Sequence, residues 1–359
     1  MNKNIKEAAL AYHASGRPGK IEVVPTKPHS TQTDLGLAYT PGVAEPCLEI
    51  ERDESLAYDY TGKGNLVAVI SNGTAVLGLG DIGALAGKPV MEGKALLFKI
   101  YAGIDVFDIE INEKDPKKFI EIVKGIAPTF GGINLEDIKA PECFEIEQTL
   151  VKALDIPVMH DDQHGTAIAV LAGLINALKL VNKKKENVKI VISGAGAAGT
   201  AVTYLLLESG FKDIIVCDSK GIINTKREDL NEDKYKLAQK TNPKGLSGGL
   251  ELAMSGADIF IGLSAPGILT GDMIRSMASD PIVFAMANPI PEIDYNDAVS
   301  SGAKVVATGR SDYPNQINNL LVFPGLIKGS LLSRKKVDNK IKIKAAQAIA
   351  DIVSEEELE

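Results

Sequence analysis

Residues 188–199, VKIVISGAGAAG, decide the fold, because an apolar strand pattern runs directly into a glycine-rich turn. An uninterrupted helical pattern follows at residues 198–209, and Gly210 stands where a helix end favours glycine. A strand, a GxGxxG turn and a helix in this order present free helix N–H groups to a phosphate. The sequence therefore predicts a site for a dinucleotide pyrophosphate, formed by Gly194, Gly196, Ala197, Ala198 and Gly199.

The next predicted strand, residues 214–217, ends at Asp218. A carboxylate about twenty residues beyond such a turn binds the hydroxyls of the adenosine ribose. Its charge favours NAD, because it would repel the 2′-phosphate of NADP, although Lys220 and Lys226 lie near enough to weaken this preference. The alternative is a glycine-rich turn in a parallel sheet that binds no ligand.

A second GxGxxG pattern, at residues 78–83, lacks this context. Gly87, Pro89 and Gly93 follow it, and we expect them to break any helix there. Asp81 would also place a negative charge where a phosphate would bind. We therefore expect only the later copy to bind the cofactor.

Short apolar runs alternate with helical patterns along the chain, which predicts an α/β protein. Strands are predicted at residues 66–70, 95–100, 104–111, 158–159, 258–263, 282–286 and 305–308, and further helices at 166–181 and 340–355. A length of 359 residues favours two domains. We expect a mixed α/β N-terminal domain for substrate and metal at residues 1–160. A Rossmann-like, doubly wound dinucleotide-binding domain is expected at 161–335, and a C-terminal helix that can pack back on the first domain at 336–359.

Composition excludes several classes of function. The net charge of −8 argues against a nucleic-acid partner, since phosphate binding needs a basic surface. No apolar run approaches the about 18 residues of a membrane span, and the polar N-terminus has no signal-peptide core. Three widely spaced cysteines (Cys47, Cys143 and Cys217) fit a reducing compartment and no zinc site. We therefore expect a cytoplasmic protein.

Two acidic pairs precede the glycine turn: Glu136-Asp137, and Asp161-Asp162 within HDDQHGT at residues 160–166. Such hard oxygen ligands suit Mg²⁺ or Mn²⁺. Any one of them can instead be a helix cap or a surface charge. His160 and His164 are four residues apart, like a helical metal pair, but Gly165 and the acidic run make a helix there unexpected. We interpret both histidines as structural or supporting residues.

Six segments in order resemble malic enzymes over roughly residues 30 to 330. They are YTPGVAEP at 39–46, GLGDIG at 78–83 with Gly93-Lys94 beyond it, NLED at 134–137, DDQHGT at 161–166, ANP at 287–289, and Asn318-Asn319 before VFPG at 322–325. We expect the compact prokaryotic form, which the chain resembles in having no acyltransferase-like segment within residues 1–359.

This resemblance implies metal-dependent oxidative decarboxylation of L-malate to pyruvate and CO₂, with reduction of NAD or NADP. It also implies decarboxylation of oxaloacetate and a homodimer or larger oligomer. The implied general acid is Tyr39, the general base Lys94, and the Mg²⁺ or Mn²⁺ ligands Glu136, Asp137 and Asp162. Asp161 would support the ligands or the base. The implied substrate-binding residues are Asn288, which also borders the cofactor, Asn319 and, as a further candidate, Asn318.

One departure concerns the substrate. Larger relatives have an arginine before the Leu-Gly-Leu-Gly segment that binds a substrate carboxylate, whereas residues 71–76 here are SNGTAV. Asn72 or another group must replace that arginine.

The chemistry also sets requirements. Lys94 can accept the hydroxyl proton of malate only if its pKa falls, and we expect burial and a nearby metal to lower it. Tyr39 suits an acid, because its hydroxyl is protonated at neutral pH. An amphipathic stretch near the N-terminus, containing Leu10 and Tyr12, is a candidate dimer contact.

Three other functions remain open. A two-domain amino-acid dehydrogenase would share the architecture but need no metal. A non-catalytic NAD sensor would need the glycine turn and Asp218 alone. A metal-dependent oxaloacetate decarboxylase would not need the dinucleotide turn.

Overall fold

The computed structural model describes residues 3–76 and 78–358, and the strands of these ranges form two sheets. The first sheet is entirely parallel and has the order β2-β1-β3-β4. Its strands are β1 (Leu66–Ser71), β2 (Asp105–Glu110), β3 (Gly132–Leu135) and β4 (Val158–His160). The carboxyl ends of all four therefore lie at one edge.

The second sheet has the order β10-β9-β8-β5-β6-β7, and only the short β7 is antiparallel. Its strands are β5 (Lys189–Ser193), β6 (Asp213–Asp218), β7 (Gly221–Ile222), β8 (Ile259–Gly262), β9 (Ile282–Ala285) and β10 (Val305–Thr308). The strands β8, β9 and β10 are buried throughout, as expected for a parallel sheet covered on both faces. This confirms the doubly wound α/β fold and the strand predictions within it.

The helices of the described residues cover both sheets. They are α1 (Lys3–Ala14), α2 (Gln32–Ala38), α3 (Ala44–Arg52), α4 (Ala57–Tyr60), α5 (Ala84–Ala102), α6 (Pro116–Ile126), α7 (Glu142–Ala153), α8 (Asp161–Leu180), α9 (Ala197–Glu208), α10 (Glu232–Ala238), α11 (Leu250–Met254), α12 (Gly271–Arg275), α13 (Tyr295–Ser300), α14 (Phe323–Ser333) and α15 (Asn339–Ala350). Among them, none combines the length and the apolar character that a membrane crossing requires.

The prediction of a strand at residues 95–100 was wrong, and so was the expectation that no helix follows residues 78–83. Residues 95–100 and the residues that directly follow Gly83 belong to one helix, α5, which has 19 residues and contains Pro89. Its buried positions recur at helical spacing: Ala84, Gly87, Met91, Lys94, Ala95 and Phe98. Packing of this face in the core outweighs the low helix propensity of glycine and proline.

Two helix boundaries also differ from prediction. The helix α8 begins at Asp161 rather than Thr166, so the acidic pair lies in its first turn and Gly165 within it. The closing helix α15 ends at Ala350, and residues 355–357 form a separate 3₁₀ turn. The carbonyl of Ala350 accepts a hydrogen bond of 2.9 Å from Asn176 of α8. The domain division at residue 160 stays a prediction.

The helical assignment of α5 has a direct test in the pair Phe98 and Ile100. On a strand the two side chains would share a face, whereas on the helix Phe98 is fully buried beside Phe323 and Ile100 is exposed. We expect Phe98→Ala to lower the free energy of unfolding by about 3–5 kcal/mol and Ile100→Ala by less than about 1 kcal/mol. Urea denaturation of both variants measures this, and equal losses would contradict the helix.

Candidate active site

The acidic residues converge where two neighbouring strands of the first sheet end. Glu136 and Asp137 directly follow β3, and Asp162 lies one residue beyond the start of α8, which follows β4. Because β3 and β4 are adjacent and parallel, their carboxyl ends meet. One carboxylate oxygen from each of the three residues lies within 4.8 Å of the others. This is the ligand set predicted from the sequence.

Local backbone bonds hold the cluster together. The backbone N–H of Asp137 donates to Asp162 Oδ2 at 2.8 Å. Its carbonyl accepts hydrogen bonds from the N–H groups of Thr74 and Ala75, at 3.1 and 3.0 Å. Asn134 donates to Glu136 Oε2 at 2.8 Å. The loops after β1 and β3 are therefore fixed to each other and to the first turn of α8.

The side chain of Lys94 reaches this cluster from α5. It is only 7% exposed, and its Nζ lies 2.6 Å from Asp161 Oδ2 and 3.0 Å from Glu136 Oε1. The ring of Phe323 lies below it, with Nζ 4.1 Å from the ring centroid. A buried lysine is thus held between two carboxylates at the edge of a three-carboxylate group.

The carboxylates around Lys94 act against the expected fall in its pKa, and the part of that fall expected from a metal stays a prediction. Burial does lower the pKa, but the carboxylates of Asp161 and Glu136 outweigh it and hold the pKa above its ordinary value. Burial and the neighbouring Asp162, in turn, raise the pKa of Glu136 despite Lys94. Neighbouring carboxylates raise the pKa of both groups, and burial adds to this effect at Glu136 but opposes it at Lys94.

Gly165 has a steric role in the first turns of α8. A Cβ at this position would lie 2.0 Å from Asp161 Oδ1 and 2.9 Å from the Cβ of Asn319. Oδ1 of Asp161 is buried and accepts no hydrogen bond from the described residues. The absence of a side chain at Gly165 therefore allows Asp161 to reach Lys94, and it brings Asn319 beside this pair.

Tyr39, the predicted acid, is not joined to this cluster. Its side chain is 75% exposed, and within the described residues no hydrogen bond or ring contact connects it to Lys94. Tyr39 follows α2, and none of the side chains described at residues 5–60 is buried. Lys20 connects this segment to α5, through Pro89 O at 2.6 Å and the Glu92 carboxylate at 3.0 Å.

The predicted asparagines occupy different places. Asn288 and Asn318 both adjoin Gly309: Asn318 Nδ2 donates to its carbonyl at 3.3 Å, and a Cβ on Gly309 would lie 2.6 Å from Asn288 Nδ2. The buried amide of Asn72 instead accepts from Thr74 at 2.7 Å and donates to Glu113 O at 3.3 Å. Asn72 therefore supports the loop after β1.

The later glycine turn has the geometry of a phosphate cradle. A Cβ on Gly199 would lie 1.9 Å from Gly194 O, and one on Gly194 would lie 2.4 Å from Leu263 O. No side chain caps the N-terminus of α9, whose N-cap is Gly196. The turn borders a cavity of about 1000 Å³, which is also lined by Asp218, Lys220, Lys234, Ser264 and Ala265. These features suit a dinucleotide.

The earlier glycine turn, at residues 78–83, packs against the loop that follows β9 of the second sheet. A Cβ on Gly78 would lie 2.9 Å from Asn288 O, and one on Gly73 would lie 2.2 Å from Gly83 O. Asp81 pairs with Lys114 at 2.7 Å. This turn therefore starts α5, which carries Lys94.

Three features that support the site were not predicted. Lys342 of α15 donates to His164 Nδ1 at 3.0 Å, and His164 Nε2 lies 2.9 Å from Glu147, which accepts the backbone N–H of His160 at 2.8 Å. This series of hydrogen bonds fixes the start of α8, which agrees with the interpretation of His164 as a structural residue. The buried carboxylate of Glu292 accepts N–H groups from the loops after β8 and β9.

The third feature is Arg310, which follows β10 and donates to the carbonyl of Pro289 at 3.1 Å. It places a cation beside Asn288. The sequence offered one signal for Arg310, which is a basic residue two positions beyond a predicted strand. It offered no signal for the hydrogen bonds between Lys342, His164 and Glu147, or for Glu292.

The steric role of Gly165 can be tested with a matched glycine. Gly93 also lies within a helix, but its added Cβ would meet nothing closer than 3.9 Å. Because alanine favours helices, we expect Gly93→Ala to be neutral or stabilising by up to about 1 kcal/mol. Gly165→Ala should instead destabilise the protein, because Asp161 must move. Urea denaturation compares them, and stabilisation by Gly165→Ala would contradict the assigned contact.

Comparisons with known proteins agree with this geometry. Residues 18–151 match the family model "Malic enzyme, N-terminal domain", and residues 163–359 match "Malic enzyme, NAD binding domain". An NADP-dependent malic enzyme of Haemophilus influenzae is 56% identical over 100% of this chain and 48% of its own length. An NAD-dependent malic enzyme of Geobacillus stearothermophilus is 54% identical over 99% of this chain and 74% of its own.

The crystal structure of a malic enzyme from Pyrococcus horikoshii Ot3 has a TM-score of 0.94 at 51% identity, covering 98% of this chain and 84% of that one. The chain spans about half the length of the first curated relatives it matches. On the two matched family models, the chain belongs to the malic enzyme family.

Proposed function

We propose that this protein oxidatively decarboxylates L-malate to pyruvate and CO₂ with reduction of NAD or NADP, and that it also decarboxylates oxaloacetate. The observation that carries the proposal is Lys94 held between Asp161 and Glu136, at the edge of a three-carboxylate cluster. The same chain provides the dinucleotide turn. Three free cysteines fit our further proposal of a cytoplasmic location.

The residues fit a hard divalent cation. Glu136, Asp137 and Asp162 offer oxygen donors alone, within 4.8 Å of one another, as Mg²⁺ or Mn²⁺ requires. A cation held there would offset the carboxylate charges that raise the pKa of Lys94 and would polarise the hydroxyl and carboxylate oxygens of malate.

Lys94 is the proposed base for the C2 hydroxyl. Its burial disfavours the charged form, so it can release its proton once the carboxylate charge is offset. Asp161 holds the ammonium through Oδ2, and its buried Oδ1 accepts no hydrogen bond from the described residues. Asn288, Asn318 and Asn319 are proposed to bind the carboxylates of malate, with Arg310 as the cation that replaces the missing arginine.

We propose that Tyr39 acts in a homodimer, where it reaches the site of the second copy and protonates C3 of the decarboxylated product. Three observations support a second copy of this chain as the partner that covers the N-terminal segment with Tyr39. The first 60 residues bury no described side chain, and large apolar residues of α1 and α2 are exposed (Leu10, Tyr12, Leu35 and Leu37). Among the described residues, no hydrogen bond or ring contact joins Tyr39 to Lys94 of its own chain. An isologous contact would bury both segments and complete both sites at once.

The proposed activity is tested by following nicotinamide reduction with L-malate and Mn²⁺, together with pyruvate formation. We expect both to proceed in equal amounts and to stop with EDTA. Lys94→Met should lower kcat by about 10²–10⁴-fold, while Lys99→Met, an exposed lysine on the same helix, should change it little. Reduction without pyruvate or without metal dependence would favour an amino-acid or simple hydroxy-acid dehydrogenase. Pyruvate formed from added oxaloacetate, without any reduction of nicotinamide by L-malate, would favour an oxaloacetate decarboxylase. No turnover of either substrate would favour a sensor.

The shared site is tested by mixing two inactive variants. In a mixed dimer of Tyr39→Phe and Lys94→Met, one site carries both substitutions and the other neither, if Tyr39 comes from the partner. Random assortment should therefore restore about a quarter of the wild-type rate. If both residues acted within one chain, every site would stay defective, and failure of a verified mixed dimer to regain activity would contradict the proposal.

A further inference from the structure

The buried carboxylate of Glu147, on α7, binds the start of α8 at two points. Its Oε1 accepts the backbone N–H of His160 at 2.8 Å, and its Oε2 lies 2.9 Å from His164 Nε2. The two histidines flank the acidic pair, Asp161 and Asp162. One carboxylate therefore holds the turn that carries both acids on either side of them.

Lys342 determines which nitrogen of His164 carries the proton. Its Nζ lies 3.0 Å from His164 Nδ1. An ammonium has only donors, so Nδ1 accepts and the ring proton lies on Nε2. Nε2 can then donate to Glu147, which as a carboxylate has only acceptors. With the other tautomer, a lone pair of Nε2 would face the carboxylate and the bond would be lost.

The burial of Lys342 is costly for the folded protein. The residue is 7% exposed, and among the described residues its ammonium bonds to His164 alone and forms no ion pair. Burial lowers the pKa of Lys342, and the carboxylates of Glu147 and Glu208 do not offset this effect. Replacement of a buried ion by an apolar side chain is often neutral or stabilising. The position of this lysine therefore favours a role other than stability.

The helix α15 is held in place by contacts that do not involve Lys342. Ala346 and Ala350 of this helix are buried in the core that also contains α8. At its first residue, Asn339 donates to Glu208 of α9 at 2.5 Å. A substitution confined to Lys342 should therefore leave the helix where it is.

We propose that Lys342 acts through His164 and Glu147 as a positioning residue for the metal site. By selecting the tautomer that binds Glu147, it holds the first turn of α8 in the geometry that Mg²⁺ or Mn²⁺ needs. This inference rests on the proposed function and deepens it, because it gives the C-terminal helix α15 a part in metal binding.

Titration of the metal-free protein with Mn²⁺, without malate or nucleotide, tests this role by electron paramagnetic resonance of the free ion. Groups that hold a metal ligand in place typically change metal affinity by about 10–100-fold, and we expect Lys342→Met to weaken Mn²⁺ binding by about tenfold. Loss of a positive charge would by itself tighten the binding of a cation, so weaker binding separates positioning from simple electrostatics.

The stability of the metal-free variant separates positioning from a structural role. The urea midpoint of Lys342→Met should change little, because a costly buried ammonium is removed. Lys342→Arg can still donate to His164 and should keep part of the Mn²⁺ affinity. The control is Lys344→Met, an exposed lysine of the same helix, which should change neither the affinity nor the midpoint.

A double substitution tests whether Lys342 acts through the ring of His164. In a His164→Phe background, Lys342→Met should cause no further loss of Mn²⁺ affinity, because no ring nitrogen is left to orient. An equal loss in that background would overturn the proposed route.

The remaining outcomes are distinct. Unchanged or tighter Mn²⁺ binding by folded Lys342→Met, in a protein that turns over malate, would overturn the inference alone. A loss of affinity that merely follows a lower urea midpoint would indicate a structural role and also overturn it. Mn²⁺ binding that depends on Lys342 as expected, without malate turnover, would support the positioning role and contradict the proposed function alone.

Discussion

The need to offset several carboxylates in one enclosed place is the constraint on which the site depends. Glu136, Asp137, Asp161 and Asp162 lie together beyond the ends of β3 and β4, and among the described residues Lys94 is the cation that pairs with Asp161 and Glu136. Carboxylates taken out of water must be paired, protonated or bound to a metal. This excess of negative charge raises the pKa of Lys94, whereas burial, together with the neighbouring carboxylates, raises the pKa of Glu136. We propose that a divalent cation held by these acids would relieve this excess and allow Lys94 to act as a base.

The two sheets bring this chemistry to one place. Parallel strands end at a common edge, so the acids after β3 and β4 meet without any long-range pairing of side chains. The helix α8 begins at the acids and packs along α9, which starts at the dinucleotide turn. Its first turn is held by His164, Glu147 and Lys342. A single helix thus connects the metal ligands with the cofactor side of the molecule.

The parts that could be predicted were those with a local signal. The strand, turn and helix of the dinucleotide site depend on residues next to one another, and they were confirmed. The helix α5 was missed because Gly87, Pro89 and Gly93 were taken as breaks, although its buried face recurs at helical spacing. The pairing of Asp218 with Arg227 and Lys234 could not be predicted, since those residues lie beyond a turn with no regular pattern. Neither could the exposure of Tyr39, because no local pattern marks a side chain that we propose a second copy covers.

The most direct test of the central claim is a titration of the metal-free protein with Mn²⁺, followed by electron paramagnetic resonance of the free ion. The account predicts one tightly bound Mn²⁺ per chain. It also predicts loss of that site in Asp137→Asn and its retention in Asp155→Asn, which changes an exposed carboxylate outside the cluster. Absence of stoichiometric binding by the folded protein, or binding that survives Asp137→Asn unchanged, would contradict the assignment of these acids as a metal site.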